Sequence, residues 1–353
     1  MIVTNNEAPI QTYNYDLGPR LYSEGTKEIH DHLVLEKKEE GIVGEVTASD
    51  AVLVAMVTGS NAALIGEPGG GKTVLSSDSY RIIGGIDPRN VAAVPHTADL
   101  TAERLIGSTA ATVKTVNANG VERREETKSV LSPLLHPDTQ VIWLDEINRV
   151  SPFAVNGVLG ALGNGRVTTD AGVLVLNGLR WSISTMNPHN KSQSTFRLDP
   201  AVVSRHALGV IMGNEEVPGS DDDEDLIIDS IIMDNWEPTP EKIKPVMSLR
   251  ELDAVREQVK GTRIAENHRK LARHYMHNML NTWRDAGVAE AKGRPAIHFS
   301  RVARGLGVLR NPMPRVEAQD LRDAALLVSC ARLAMGARLE YGELRSALND
   351  IVE

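Results

Sequence analysis

Short apolar runs recur through the first two thirds of the chain at spacings that suit buried β-strands. They are Ala62–Ile65, Val91–Val94, Val141–Leu144, Trp181–Ser184 and Ala207–Ile211. Stretches with a helical pattern separate them. Near-continuous apolar strands that alternate with helices are typical of a parallel sheet covered by helices on both faces. The pattern therefore predicts an α/β fold with a parallel sheet.

The pattern changes after Met212, where the predicted strands stop and helical patterns continue to about residue 347. Ser248 and Glu251 predict a capping box at the start of one helix, and the acidic run after Ser220 predicts another helix start. The predicted organisation is a loosely ordered arm at 1–28, a charged helix at 29–41 that opens an α/β domain at 29–212, and an all-α domain at 213–353.

Composition narrows the class of protein. The 41% of hydrophobic residues suffice for a core, and Cys330 is the only cysteine, which excludes an intramolecular disulfide and favours a reducing cytoplasm. We expect neither a signal peptide nor a membrane span, because no apolar run is long enough for the latter. The formal net charge of −9 counts against a dedicated nucleic-acid or anionic-membrane binder, since such proteins concentrate positive charge.

Residues 66–73, GEPGGGKT, fit the phosphate-binding pattern G-x-x-x-x-G-K-[ST] between a strand and a helical segment. A chance match in a glycine-rich turn would keep neither flank. In this motif backbone N–H groups close around phosphates at a helix N-terminus, Lys72 reaches the terminal phosphates, and the Thr73 hydroxyl binds Mg²⁺. The residues predicted to contact the nucleotide here are Glu67, Pro68, Gly69, Gly70, Gly71, Lys72, Thr73 and Val74.

Two adjacent acids, Asp145 and Glu146, end the apolar run that starts at Val141. Neighbouring residues of a strand point to opposite sides, so the two carboxylates can have different tasks. We expect Asp145 to hold Mg²⁺, directly or through water, and Glu146 to act as the general base on the attacking water. An acidic pair after a strand is otherwise a solvated strand end, but the phosphate-binding loop upstream favours the hydrolytic interpretation.

At this point the chain resembles the MoxR-type AAA+ ATPases over roughly residues 29–345. The resemblance rests on the following stretches: Gly41–Gly44, the loop at 66–73, His96–Leu100 to Gly107, Asp145–Arg149, Thr185–Pro188, Leu198–Pro200 to Arg205, Val246–Leu252 and Val316–Leu321. It implies a P-loop AAA+ domain followed by a small all-α lid. It also implies ATP and Mg²⁺ bound at the interfaces of a homo-oligomeric ring, usually a hexamer.

The same resemblance assigns roles to individual residues. Ile42, Val43 and Gly44 would line the adenine pocket, although a core-packing segment could look the same. Asn187 would be the sensor that orients the attacking water; its alternative is a turn former before Pro188. Arg205 resembles the arginine finger supplied to the γ-phosphate of the neighbouring subunit, and its alternative is a surface arginine in an ion pair.

The lid departs from the family pattern. Arg301 in Phe299–Arg301 is an imperfect match to the sensor arginine that touches the γ-phosphate, and Arg294 and Arg304 are rivals. Arg149 is a further candidate to cross the interface. The β-rich arms of Arg166–Leu176 around a turn predict a hairpin that should face the ring pore. Because 91–142 contains no aromatic residue, the chain does not suit an unfoldase that grips polypeptide with pore aromatics.

The function implied by the resemblance is that of an ATP-driven chaperone that remodels, matures or assembles a partner protein. In this family the partner often carries a von Willebrand A domain. A nucleic-acid-associated motor or loader is the alternative, against which the acidic balance counts. A scaffold that binds ATP only to assemble is a third, and the intact Lys72, Glu146 and Asn187 count against it.

Overall fold

The computed structural model describes most of the chain. The described residues are 16–32, 47–66, 71–95, 107–113, 126–131, 136–149, 155–156, 158–169, 172–187, 196–212, 243–288, 293–337, 339 and 341–352. The predicted helix start at Ser220, the residues 33–41 of the predicted charged helix, and Ile42, Val43 and Gly44 lie outside them. So do Glu67, Pro68, Gly69 and Gly70 of the phosphate-binding loop.

A parallel sheet of five strands forms the centre of the protein, as predicted. Its strands are β1 (Asn61–Gly66), β3 (Val91–Pro95), β6 (Val141–Asp145), β9 (Trp181–Met186) and β10 (Leu208–Met212). They lie in the order β10-β1-β9-β6-β3, with every neighbouring pair parallel. All five apolar runs identified in the sequence are strands of this sheet. The buried patterns of β1, β9 and β10 show that the sheet is covered on both faces.

The α/β region contains further helices, and the first two of them pack against the central sheet. They are α2 (Ala48–Thr58), α3 (Lys72–Arg81), α4 (Leu159–Asn164) and α5 (Pro200–Val203). A capping box between Thr47 and Asp50 starts α2, and Gly59 ends it with a φ of 62°. Residues Ala48 to Val57 are all buried, so α2 is enclosed on every side.

Two antiparallel strand pairs lie between strands of the central sheet in the sequence, one between β3 and β6 and one between β6 and β9. The predicted hairpin is confirmed as β7 (Arg166–Thr169) paired with β8 (Gly172–Val175). A second one, β4 (Gly107–Val113) with β5 (Glu126–Leu131), was not predicted. Its first strand reads GSTAATV and its second ETKSVL, so small and polar residues dominate and no apolar alternation marks either strand.

The described residues after Met212 are mostly helical. The helices are α6 (Leu249–Gly261), α7 (Arg269–Asp285), α8 (Arg294–Arg310), α9 (Ala318–Gly336) and α10 (Tyr341–Val352). The capping box of Ser248 and Glu251 at the start of α6 is confirmed. The expectation that strands stop after Met212 was wrong, because β11 (Met247–Ser248) pairs in parallel with β2 (Ile83–Gly84). A two-residue strand is too short to leave a periodic pattern in the sequence.

The C-terminal helices pack along the flank of the sheet. A Cβ atom on Gly209 of β10 would lie 2.9 Å from the Ala331 Cα of α9, so the two backbones are in direct contact. On the neighbouring helix α8, a Cβ atom on Gly305 would lie 2.7 Å from Cγ2 of Thr58, the last residue of α2. Helices α8 and α9 therefore form one core with α2 and β10.

The chain begins its described part with helix α1 (Leu17–His32), which corrects the sequence prediction. Residues 17–28 were expected to belong to a loosely ordered arm. Leu17, Leu21 and Ile29 are buried in the common core, and a Cβ atom on Gly18 would lie 2.3 Å from the Val308 carbonyl oxygen of α8. Because tertiary contacts stabilise α1 more than its own glycine-containing sequence does, local propensity does not reveal it.

A helix that spans a lipid bilayer needs about 20 predominantly apolar residues, and the described helices do not meet this requirement. Cys330 is buried in α9, and burial raises the pKa of its thiol to about 12.

Candidate functional site

The residues predicted to bind and cleave a nucleotide lie at one edge of the sheet. Gly66 is the last residue of β1, Asp145 is the last residue of β6, and Asn187 directly follows β9. The strands are parallel and adjacent in the order β1-β9-β6, so these three ends meet. In open parallel sheets ligands bind outside the carboxyl ends of the strands, which is this edge.

Gly66, Gly71, Lys72 and Thr73 are the described residues of the predicted phosphate-binding loop. Gly71 precedes α3 with a φ of 74°, in the left-handed region that favours glycine. A Cβ atom on Gly66 would lie 2.4 Å from the Met212 carbonyl oxygen, so a side chain does not fit there. Lys72 is 7% exposed and its Nζ donates to the Gly66 carbonyl oxygen at 2.7 Å. Thr73 is exposed in the first turn of α3, where Val74 follows it.

Thr185 of β9 joins the two carboxylate residues. Its Oγ1 donates to Oδ1 of Asp145 at 2.6 Å and accepts from the backbone N–H of Glu146 at 2.8 Å. Glu146 lies past the end of β6 and has a φ of 53°. The side chains of Asp145 and Glu146 differ in orientation because the chain turns between them. The alternation of side chains along a strand, expected from the sequence, does not apply, since Glu146 lies outside β6.

Asn187 and Arg149 both reach the Glu146 carboxylate. Nδ2 of Asn187 donates to Oε1 of Glu146 at 3.1 Å, and the Arg149 guanidinium lies 3.1 Å from the same oxygen. Asn187 is fully buried, and Nδ2 of Asn148 donates to its carbonyl oxygen at 2.8 Å. The structure therefore brings Asn187 to Glu146, and it places Arg149 beside Glu146 of its own chain.

The oxygen atoms at this edge suit a hard divalent cation. Asp145 offers a carboxylate at the end of β6, and the Thr73 side chain offers a hydroxyl at the start of α3. Mg²⁺ takes oxygen ligands, usually one or two from protein together with water and substrate phosphates. This small protein ligand set fits such an ion. Within the described ranges, no group of three or more His, Cys, Asp or Glu side chains could hold a metal by itself.

Arg205 lies at the opposite end of the sheet from the phosphate-binding loop. Its carbonyl oxygen accepts from Nδ2 of Asn61 at 2.9 Å, and Asn61 is the first residue of β1. A strand of this length spans roughly 16–20 Å. The Arg205 guanidinium donates to the Ala201 carbonyl oxygen at 2.8 Å. Burial and the neighbouring guanidinium of Arg294 lower the pKa of Arg205.

The lid candidates lie on α8, near the amino ends of the strands. Arg294 donates to Oγ of Ser204 at 2.6 Å, and Arg304 donates to the Lys260 carbonyl oxygen at 3.4 Å. Arg301 lies between them on the same helix. In the part of the chain that the structure describes, no hydrogen bond or ion pair connects Arg301 to the loop edge. Its role as a sensor stays a prediction.

Comparison with known proteins identifies the central part of the chain. A family model described as AAA domain (dynein-related subfamily) matches residues 61–206. These residues form an AAA domain. The match runs from Asn61, the first residue of β1, to His206, and so includes the predicted loop, both carboxylates, Asn187 and Arg205. With this domain and its nucleotide site, the protein is an ATPase.

The fold is also found in a solved structure. The crystal structure of a "putative ATPase" from Cytophaga hutchinsonii is similar to this chain with a TM-score of 0.64 and 19% sequence identity, over 94% of each chain. At this identity the likeness concerns the fold, an AAA domain followed by a helical region. A comparison with curated proteins found no match.

Several residues of the site were missed in the sequence. Thr185 and Asn148 hold the carboxylates and Asn187, and His206 contacts β9 through Ser184. A signal for them was present, because Ser182, Ser184 and Thr185 are polar residues in a fully buried strand. Buried polar groups need hydrogen-bond partners, so such residues in a central strand indicate bonds to neighbouring strands.

Proposed function

We propose that this ATPase is a MoxR-type motor that works as a ring, with six subunits, and uses ATP hydrolysis to remodel, mature or assemble a partner protein. The observation that carries the ring is the position of Arg205. An arginine at the amino ends of the strands is too far from its own phosphate-binding loop to contact the bound nucleotide. Any contact of Arg205 with a nucleotide would therefore be with the nucleotide of a neighbouring subunit.

The proposed chemistry uses the residues at the loop edge. Lys72 and the backbone N–H groups of the loop hold the phosphates. Glu146 accepts a proton from the attacking water, while Asn187 orients Glu146 and that water. Oδ1 of Asn187 is buried without a hydrogen-bond partner among the described residues, and since buried polar atoms need one, the attacking water is proposed as that partner. Mg²⁺ held by Thr73 and Asp145 would neutralise charge on the phosphates.

Arg205 of one subunit completes the site of the next. A guanidinium beside the γ-phosphate offsets charge in the transition state, and an arginine finger contributes about 10³-fold or more to turnover. Arg301 and Arg294 lie on the same side as Arg205, so any contact of theirs with a γ-phosphate would also be with a neighbour's nucleotide.

The partner is proposed from the resemblance to the MoxR type, in which a protein with a von Willebrand A domain is often involved. The net charge of −9 supports a protein partner over nucleic acid, and a cytoplasmic location fits the single cysteine. The Glu146→Gln form should bind ATP without cleaving it and retain such a partner. Lys72→Ala, which should not bind ATP, is the control.

Mixing of subunits tests the ring. Arg205→Ala and Lys72→Ala should each be inactive alone, because every interface then lacks a finger or a loop. Mixed rings contain interfaces with an intact loop from one subunit and an intact finger from the other, so mixing should restore activity. Arg315→Ala, which removes an exposed arginine elsewhere, should keep normal turnover. The proposal is wrong if co-assembled Arg205→Ala and Lys72→Ala subunits stay inactive at every ratio.

A further inference from the structure

The short segment 201–206 that carries Arg205 is held by side chains from several elements. Each backbone carbonyl oxygen from Ala201 to Arg205 accepts a hydrogen bond from a side chain. The donors are Arg205 itself to Ala201, His206 to Val202, Arg332 to Val203 and to Ser204, and Asn61 to Arg205. The helix that leads into this segment, α5, has only four residues and cannot fix its own geometry, so these bonds determine where Arg205 points.

Arg332 is the most unusual of these donors. It is 1% exposed, although arginine is almost never fully buried without partners. Nη1 donates to the Val203 carbonyl oxygen, and Nη2 donates to that of Ser204 at 3.1 Å. A guanidinium is a rigid planar fork, so a single side chain fixes two successive carbonyl groups. A buried guanidinium is costly in free energy unless such bonds are made.

Two neutral histidines complete the surroundings of Arg332. Burial, followed by the nearby guanidinium groups, lowers the pKa of His298 to about 3, so its Nδ1 accepts from Nη2 of Arg332 at 3.3 Å. Burial also lowers the pKa of His206 to about 4. Since the Val202 carbonyl oxygen only accepts, Nδ1 of His206 carries the proton, and its Nε2 accepts from Oγ of Ser184 at 2.8 Å.

The segment is thereby tied to two distant parts of the molecule. Ser184 directly precedes Thr185, which bonds Asp145 and Glu146 at the loop edge. Arg332 belongs to α9, and its neighbour Ala331 lies against Gly209 of β10, where a Cβ atom would come within 2.9 Å of the Ala331 Cα. Because these two backbones are in direct contact, a displacement of α9 moves Arg332 and the carbonyl groups that it holds.

We propose that Arg332 is a positioning residue for Arg205, through which the C-terminal helices set the hydrolysis rate at the neighbouring subunit's nucleotide. The proposal rests on Arg205 acting as a finger in trans. Arg332 does not touch the nucleotide itself. Its effect is carried by the Val203 and Ser204 carbonyl groups, which lie two residues and one residue before Arg205.

Turnover of assembled rings is the first test. In Arg332→Met, which removes the donors but keeps a long side chain, we expect kcat to fall about ten- to a hundredfold, the loss that a misplaced group produces. KM for ATP should stay unchanged, because the loop is at the other end of the sheet. Arg332→Lys keeps one donor group and should recover part of kcat. Arg322→Met, on the same helix but outside these bonds, is the matched control.

Mixing experiments then locate the defect. Arg332→Met subunits have an intact loop and a misplaced finger, so mixing with Lys72→Ala should restore activity, whereas mixing with Arg205→Ala should not. Restoration by Arg205→Ala would place the defect at the loop and overturn the proposal. So would unchanged kcat in both Arg332 variants. If Arg332→Met does not assemble, Arg332→Lys takes its place in the mixtures with the same expected pattern.

The two proposals fail in different ways. If Arg205→Ala and Lys72→Ala do not complement each other, Arg205 is not a finger in trans, and both proposals are wrong. If they complement each other while Arg332→Met and Arg332→Lys rings turn over normally, the role of Arg332 alone is wrong.

Discussion

Glu146 has an unusual backbone conformation among the described residues. Its φ of 53° is the one positive value there that does not belong to a glycine. A left-handed conformation at such a residue costs about 1–3 kcal/mol and persists when surrounding contacts hold it. Here Thr185 bonds the backbone N–H, while Asn187 and Arg149 bond the carboxylate. The direction of the Glu146 carboxylate, the proposed general base, is therefore fixed by these three neighbours.

Thr185 is the residue whose removal tests this arrangement. Thr185→Val keeps the shape but deletes the hydroxyl that bonds Asp145 and the N–H of Glu146. We expect kcat to fall about tenfold or more. The free energy of unfolding should fall by about 1–3 kcal/mol, because the N–H loses its partner. Steady-state hydrolysis and urea unfolding measure the two effects.

Thr185→Ser is the matched control, since it keeps the hydroxyl and should keep most of kcat. Normal turnover in Thr185→Val would mean that Asn187 and Arg149 alone orient Glu146.

At the scale of single residues, the sequence identified the carboxylates and Asn187 but not the groups that hold them. Asp145 and Glu146 end a strongly apolar strand, and Asn187 follows another, so each is marked by its neighbours in sequence. Thr185 bonds residues about forty positions earlier in the chain. A side-chain bond of that kind depends on which strands are adjacent, and the strand order is not a local property.

At the scale of elements, the start of helix α6 is stabilised both by a local capping box and by a tertiary contact. Glu251 closes the capping box with Ser248, and Arg20 of α1 lies 2.7 Å from its carboxylate. Hydrogen bonds from the Ser248 backbone, from Arg20 and from the Ser248 hydroxyl lower the pKa of Glu251 to about 2, from an ordinary value of 4.5. The capping box was predictable from sequence spacing, whereas the contact with Arg20 was not.

This shift predicts a pH dependence of stability. The folded-state pKa of Glu251 is below its unfolded-state value, so its contribution to the free energy of unfolding is complete above pH 4.5. It is lost as the pH falls from 4.5 towards 2. Glu251→Gln should therefore show a shallower loss of stability between pH 5 and pH 3, measured by urea unfolding.

Glu257→Gln changes an exposed carboxylate of the same helix and serves as the control. If Glu251→Gln and the unmodified protein lose stability in parallel over this range, the carboxylate of Glu251 does not contribute as described.

At the scale of the whole molecule, Arg310 joins helices from both ends of the chain. Its guanidinium lies 2.5 Å from Asp323 and 3.5 Å from Asp320 of α9, and 3.9 Å from Asp50 of α2. Burial and then the Asp50 carboxylate raise the pKa of Tyr22, on α1, to about 12. All three aspartates are buried, so Arg310 is the cation that makes their burial tolerable.

Arg310→Met should be strongly destabilising at neutral pH. We expect a loss of about 3 kcal/mol in the free energy of unfolding, because buried carboxylates are left without their cation. Burial already raises the pKa of Asp320 and Asp323, and removing Arg310 raises it further. A folded-state pKa above the unfolded value penalises stability at high pH, so the loss should shrink as the pH falls from 7 to 5.

Urea unfolding at the two pH values measures this effect. Arg315→Met is the control, because it removes an arginine that is 63% exposed and pairs with Glu317, which is 41% exposed. Its loss in the free energy of unfolding should be less than about 1 kcal/mol at either pH. Equal losses for the two variants would contradict the role assigned to Arg310.

The sequence by itself determined the five core strands, the β7–β8 hairpin and the cap of α6, and it predicted the phosphate-binding loop, the acidic pair and Asn187 as the site. Each of these features is indicated by a short stretch of sequence, either through apolar periodicity or through a motif of a few residues. The tertiary structure alone decided the strand order, the helix α1, the bonds of Thr185 and Arg332, and the place of Arg205 and Arg301 at the far end of the sheet. These depend on contacts between residues far apart in the chain, which are set when the elements pack into one core and leave no periodic trace in the sequence.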